Sequence, residues 1–209
     1  MDKIDCIYYI NLEHRTDRKE QFLKEMEKLG IPETKLVRID AIRTEGFGIL
    51  GCGLSHKKAL TTFLESEHKN CIIFEDDFIF TLDMNYTHFL LRKIFEENIL
   101  FDVVMLAGKL MDEKDTQFSF LKKVIDGQTA SAYLITREFA PKLVELLTES
   151  TKLLDDWHKK TGERKHEYCN DIYWKKLQPE SNWYRLFPKL GIQRESYSDN
   201  DLRITNYRV

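Results

Sequence analysis

Three consecutive carboxylates, Glu75-Asp76-Asp77, follow the apolar run Cys71-Ile72-Ile73-Phe74 and precede a second one, Phe78-Ile79-Phe80. The first run reads as a strand buried on both faces. Three acids at its end repel one another, and an unpaired buried ion is costly, so a positive group belongs beside them. Strand alternation puts Glu75 and Asp77 on one face with Asp76 opposite, giving an acid-x-acid pair at the mouth of a sheet. Hard oxygen ligands of this kind suit Mg2+ or Mn2+. The plain alternative is an exposed strand-end loop, and the apolar runs on both sides argue against it.

Other residues have types suited to chemistry. Arg15 and Arg18 stand where the β-branched and aromatic run Cys6 to Leu12 gives way to a helical pattern. Such a strand-to-helix turn gathers backbone N–H groups and arginines around a pyrophosphate, although solvated arginines would look the same. Asp171 follows Asn170 at the start of a short helical segment, where the helix dipole favours an ionised carboxylate and is a structural reason sufficient in itself. Cys52 and His56 lack the second Cys or His pair of a zinc site, so His56 reads as a helix-start histidine that makes hydrogen bonds.

The elements that must position these residues alternate. After the first strand, Asp17 and Glu20 have capping-box spacing, and Phe22, Leu23, Met26 and Leu29 recur at helical intervals until Gly30 and Pro32. Leu36 to Ala41 is a second strand, completing a β-α-β unit. Gly46, Gly48, Gly51 and Gly53 fit neither the dinucleotide fingerprint nor a P-loop and read as a flexible loop. A helix follows from Leu54, with Ala59, Leu60, Phe63 and Leu64 on one face. Beyond the acids come a helix around Phe89 to Phe95 and a strand at Asp102 to Gly108. A polar loop is expected at Lys109 to Gln117, strands at Phe118 to Ile125 and Thr129 to Ile135, and a helix from Ala140. Thr151 to His166 reads as a charged surface lobe or lid. Asp171 to Leu177 is a short helix, Trp183 to Phe187 a strand, Pro188 to Gln193 a turn and Ser196 to Val209 a polar tail. Tyr173, Trp174, Trp183 and Tyr184 are aromatics available to cover a partner or an acceptor sugar.

The 209 residues, 42% hydrophobic and 12% aromatic, fit one α/β domain. A net charge of −3, from 35 acids against 32 bases, gives no electrostatic sign of a nucleic-acid partner, and none is expected. Cys6, Cys52, Cys71 and Cys169 are scattered and read as reduced thiols. The N-terminal apolar run is too short for a signal peptide, and no stretch approaches the ~20 apolar residues of a membrane span. A cytoplasmic protein, bacterial or in the host cytoplasm if viral, is expected, with the oligomeric state open.

Ile10-Asn11-Leu12…Arg15…Asp17-Arg18, Asp40-Ala41, Gly51-Cys52…Ser55-His56 and Phe74-Glu75-Asp76-Asp77 together resemble glycosyltransferase family 25. That family includes lipooligosaccharide (lipopolysaccharide-biosynthesis) enzymes, collagen galactosyltransferases and large-virus members. Ala132 to Thr136, Asp171 and Pro188…Gln193…Ser198-Asp199 extend the likeness in the right order. It implies a GT-A-like, Rossmann-type mixed sheet flanked by helices, with residues 1–108 as the nucleotide-sugar half and 109–209 as the acceptor half and tail. It further implies a UDP-sugar donor, a saccharide or glycosylatable protein acceptor, Mn2+ (or Mg2+), and inversion at the anomeric carbon. Carried over residue by residue, Glu75 and Asp77 hold the metal. Asn11, Arg15, Arg18, Asp40, Ser55, His56 and Asp76 bind the donor, and Asp171 is the catalytic base; apart from the resemblance, Asp155, Asp156 and Glu113 are rivals because they lie on expected loops that could meet an acceptor. The sequence departs from the family pattern at Thr129-Ala130, where many members have Gly-Thr. Metal-dependent phosphoryl or nucleotidyl transfer would use similar acids and arginines. A non-catalytic carbohydrate-binding scaffold would keep the fold without turnover.

Overall fold

The computed structural model describes residues 3–198 and 203–205, with side chains described through residue 195. Asp199, part of the resemblance above, lies outside the described residues, as does most of the expected polar tail.

The chain opens with β1 (Cys6–Asn11), α1 (Thr16–Lys28) and β2 (Leu36–Asp40), and continues through α2 (Gly48–Glu65), β3 (Asn70–Glu75), β4 (Phe78–Phe80) and α3 (Met84–Glu96). It goes on through β5 (Val103–Met105), β6 (Lys109–Asp115), β7 (Leu121–Gln128), β8 (Ala132–Thr136) and α4 (Ala140–Thr161). The short α5 (Asn170–Tyr173) then precedes β9 (Trp183–Leu186), β10 (Gly191–Gln193), β11 (Ser196–Ser198) and β12 (Arg203–Thr205). One sheet runs in the order β2-β1-β3-β8-β5-β9-β7-β6. β1 pairs parallel with β2 and β3, whereas β8 is antiparallel to both β3 and β5, so the sheet is mixed. The expected α/β fold, a mixed sheet flanked by helices, is therefore what the chain adopts.

Apolar residues on both faces explain the layers. Ile7, Tyr9, Ile72 and Phe74 face Phe22 and Met26 of α1 and Leu90, Leu91 and Ile94 of α3. Tyr8, Cys71, Ile73 and Tyr133 face Ala59, Leu60 and Phe63 of α2 and Leu143 and Leu147 of α4. With helices on each side, the central strands lack a polar face, which is why β3 reads as a continuous apolar run.

Several expected elements take another form. From Gly48 onward the glycine-rich stretch is the first turns of α2, with Gly46 in the turn before it. A Cβ at Gly51 would come within 2.3 Å of the Ile42 carbonyl oxygen, and one at Gly53 within 2.9 Å of Thr151 Cγ2. These glycines serve close packing against the 42–44 loop and α4. Residues 151–161, expected in a lobe, continue α4, because Thr151 and Leu154 extend its buried stripe. The polar 109–115 segment is the exposed edge strand β6, paired with β7. Residues 191–193, expected in a turn, pair with β4. α1 has no side-chain cap from the expected capping box. The aromatics expected to be exposed are internal: Tyr173, Trp174 and Trp183 are buried and Tyr184 packs partly buried.

Candidate functional site

Glu75 is the last residue of β3, and its N–H donates to the Ser131 carbonyl at 2.9 Å. Asp76 and Asp77 form the turn into β4. Because the chain leaves extended geometry there, the expected strand alternation does not hold. Asp76 and Asp77 both meet Arg18, whose Nη1 lies 3.1 Å from Asp76 Oδ1 and 3.2 Å from Asp77 Oδ2. Asp76 Oδ2 also accepts from Asn11 Nδ2 at 2.6 Å. The positive group required beside the acids is thus a guanidinium from the first turn of α1.

Glu75 turns toward α2. Its Oε1 is 3.2 Å from His56 Nε2 and 3.6 Å from Cys52 Sγ, while its Oε2 accepts from Gln193 Nε2 at 2.8 Å. The same Gln193 nitrogen is 3.5 Å from Asp77 Oδ1, so one amide stands between the two acids. His56 Nδ1 in turn lies 3.2 Å from the Tyr133 hydroxyl. Ser55 Oγ donates to the Gly51 carbonyl at 2.6 Å and accepts the Ile42 N–H at 2.8 Å, which ties the loop after β2 to α2.

Asp171 enters from α5. Its Oδ2 accepts the Thr129 backbone N–H at 3.0 Å, and Thr129 holds φ at +81°. A cavity of about 480 Å³ joins Arg18, Ser55, His56, Glu75, Asp76, Asp77 and Asp171, with Gln193, Lys109, Arg164 and His166 also on its wall.

The carboxyls are not electrostatically equal. Burial and then the Glu75 charge push Asp77 up to about 7, against the pull of Arg18. Burial also raises Asp76, opposed by Arg18 and the Asn11 hydrogen bond. Burial pushes Glu75 up most strongly, but His56, the Cys52 hydrogen bond and the Arg18 charge together outweigh it and leave this carboxyl below its ordinary value. Asp171 is raised by burial, with the Thr129 N–H opposing and the Glu75 charge adding. Crowded, buried acids with split affinities for protons are a common preparation for binding a cation or moving a proton.

Arg15 and Asp40 are not brought to the cavity wall. Arg15 binds both oxygens of Asp17 at 3.0 and 2.9 Å. Asp40 pairs with Arg38 and leaves 66% of its side chain exposed. Asn11 reaches the site through Asp76. The rivals to Asp171 lie elsewhere: Asp155 and Asp156 pair with Lys159 and Lys152 along α4, and Glu113 lies on the exposed β6.

The sequence sets Cys52 beside His56 without the partners of a zinc site and places Gln193 and Thr129 only within the resemblance, so none of the three is given a role in this site. Cys52 falls in the expected glycine-rich loop, yet it is one turn before His56 on the same helix, a spacing visible once α2 is started at Gly48. Gln193 falls in an expected turn, and a three-residue strand carries too short a pattern to read. Thr129 acts through its backbone, which no side-chain pattern signals.

The model of glycosyltransferase family 25 (LPS biosynthesis protein) matches residues 46–158, more than half of the chain. The chain belongs to glycosyltransferase family 25. The family assigns it to sugar transfer. The match includes Cys52, Ser55, His56 and the Glu75-Asp76-Asp77 acids, while Asn11, Arg18 and Asp171 lie outside it. No curated protein matches the chain in sequence. Among solved structures, this family 25 chain is similar to A197 from STIV, at 13% identity over 98% of this chain and 100% of that one, with a TM-score of 0.48. It is similar to a glycosyltransferase involved in the glycosylation of the major capsid of PBCV-1, at 11% identity over 86% and 81% of the two chains, with a TM-score of 0.47. A third is mannose-1-phosphate geranyltransferase from Thermus thermophilus, at 8% identity over 88% and 73%, with a TM-score of 0.48. Among the described residues no helix is long and apolar enough to cross a membrane.

Proposed function

We propose that this family 25 enzyme moves a hexose from a UDP-sugar to an acceptor hydroxyl, on a saccharide or a glycosylatable protein, with inversion at the anomeric carbon. The observation that carries the reading is the meeting of Glu75, Asp77 and Asp171 on one cavity. Residues up to 108 supply the acids, Arg18 and the α2 residues. Residues beyond it supply Asp171, Lys109, Arg164 and His166 to the same cavity, where they would serve an acceptor.

Mn2+ (or Mg2+) would be held by Glu75 and Asp77. The fit rests on the Gln193 amide, whose partly positive nitrogen stands between oxygens of these two acids. When bound, such a cation neutralises the charge that develops on the departing diphosphate. The chain's own groups do the rest. Arg18, fixed by Asp76 and Asp77, presents a cation toward the diphosphate. Ser55 holds the 42–44 loop as a wall for the nucleotide. Asp171, anchored by Thr129, accepts the proton of the acceptor hydroxyl as it attacks, as a single displacement with inversion requires. Its upward shift makes it a stronger base than an exposed aspartate. Arg15 and Asp40 have no part in this reading, since their side chains pair away from the cavity.

The test is calorimetric titration of UDP and then UDP-sugars, with Mn2+ and with chelator. Metal-dependent binding in the wild type, lost in Asp77→Ala, is expected, together with donor binding but no transfer in Asp171→Asn. Nucleotide binding that ignores both the metal and Asp77 would overturn the metal assignment. Release of pyrophosphate instead of UDP would point to nucleotidyl transfer, and binding without turnover to a scaffold.

A further inference from the structure

We propose that Cys52, His56 and Glu75 form a separate three-ligand site for a borderline-soft divalent cation, Zn2+ being the best fit, on the inner wall of the sugar-transfer cavity. Their ligand atoms all lie within 4.8 Å of one another. A tetrahedral Zn2+ with ordinary bond lengths needs sulfur and oxygen about 3.5 Å apart and nitrogen and oxygen about 3.3 Å apart. The corresponding separations here are 3.6 Å for Cys52 Sγ to Glu75 Oε1 and 3.2 Å for His56 Nε2 to Glu75 Oε1. Two edges of the coordination polyhedron are formed already.

The surroundings complete the case. Cys52 and His56 are four residues apart on α2, so a rigid helix presents both to the end of β3. With Nε2 on the metal, His56 Nδ1–H would donate to the Tyr133 hydroxyl 3.2 Å away, a contact of the kind that fixes a ligating imidazole. All three ligands line the cavity, which leaves a fourth position for water or a substrate oxygen. A thiolate and an imidazole select Zn2+ over Mn2+, and the thiol proton leaves to solvent on binding.

This site differs from the Mn2+ position of the proposed transfer reaction, because it uses Glu75 Oε1 and the α2 side, whereas Gln193 and Asp77 lie toward Oε2. Occupancy would still engage a shared carboxylate, so Zn2+ should inhibit Mn2+-dependent donor binding.

Co2+ is the probe, since a cobalt thiolate shows a near-ultraviolet charge-transfer band and strong tetrahedral visible bands. One equivalent is expected to produce both, and Zn2+ to abolish both. Cys52→Ser should lose the charge-transfer band, and His56→Gln should weaken the visible bands, each variant being checked for native circular dichroism. Asp77→Ala should keep the full spectrum even though it loses Mn2+. A charge-transfer band that survives Cys52→Ser, or no band in the wild type, would overturn the site. Loss of the spectrum in a folded Asp77→Ala would overturn its separateness. Failure of UDP binding alone would count against the transfer reading and leave the cobalt result standing.

Discussion

Thr129 donates its backbone N–H to Asp171 Oδ2 at 3.0 Å from a residue held at φ +81°. A β-branched side chain at positive φ is strained by about 1–3 kcal/mol, and here the strained residue anchors the proposed base. Thr129→Gly keeps the N–H and removes the strain, at a cost of about 0.4–1 kcal/mol in unfolded-chain entropy. The variant should therefore be more stable by roughly 1 kcal/mol in urea unfolding, with the Asp171 contact retained. A less stable variant would mean that the threonine side chain contributes packing that outweighs its strain.

Asp171 itself should cost stability at neutral pH. Its folded carboxyl titrates above the ordinary value of about 3.9 because the surrounding protein partly strips it of water. A folded state that holds the proton more tightly than the unfolded chain has its full stability below the unfolded pKa and loses part of it as pH rises through the folded one. Asp171→Asn cannot ionise and can still accept from Thr129. It should be more stable than wild type at pH 7, and the difference should shrink toward pH 3. Equal stabilities across that range would show that Asp171 is solvated well enough to ionise without penalty.

Arg18 carries the electrostatic weight of the acid turn. Its side chain is 13% exposed, and its guanidinium lies against the carboxylates of Asp76 and Asp77, whose side chains are 8% and 11% exposed. Removing one partner of a buried pair leaves an uncompensated charge and costs about 3–5 kcal/mol. Arg18→Ala should lose stability at pH 7, by less than that full scale, because Asp77 is pushed up to about 7 even beside Arg18 and takes up a proton there once the guanidinium is gone. The loss should diminish as pH falls, because the stranded carboxylates then take up protons. Denaturant titrations at pH 7 and pH 5 check this, and a pH-independent loss would assign the effect to packing alone.

The parts of this arrangement legible in the sequence are those with a strong local pattern. β1 and β3 are apolar on both faces because helices cover both sides of the sheet, and such runs stand out. The acids at the end of β3 interrupt one of them and mark the site. Less legible is anything decided by tertiary approach. Gly51 and Gly53 look like loop residues until the Ile42 carbonyl and Thr151 are seen against them. Arg15 and Arg18 are indistinguishable as a pair in sequence, yet the first turn of α1 directs Arg18 to the acids and leaves Arg15 with Asp17. Gln193 arrives from the far end of the chain on a strand of three residues.

Gln193 gives the last prediction. Its amide stands between Glu75 Oε2 and Asp77 Oδ1, so it screens two carboxylates that otherwise repel. Gln193→Ala removes that donor and should lower stability in metal-free buffer by about 1–3 kcal/mol, the cost of unsatisfying buried acceptors. A cation held by the same two acids would supply what the amide supplied. Mn2+ should therefore raise the melting temperature of Gln193→Ala more than that of the wild type, because a bound ion adds stability in proportion to its affinity for the folded state. The comparison needs only thermal unfolding of both proteins with Mn2+ and with chelator. Identical Mn2+ shifts would mean that the amide and the ion do not share a place, and the Glu75–Asp77 assignment would fall with that result.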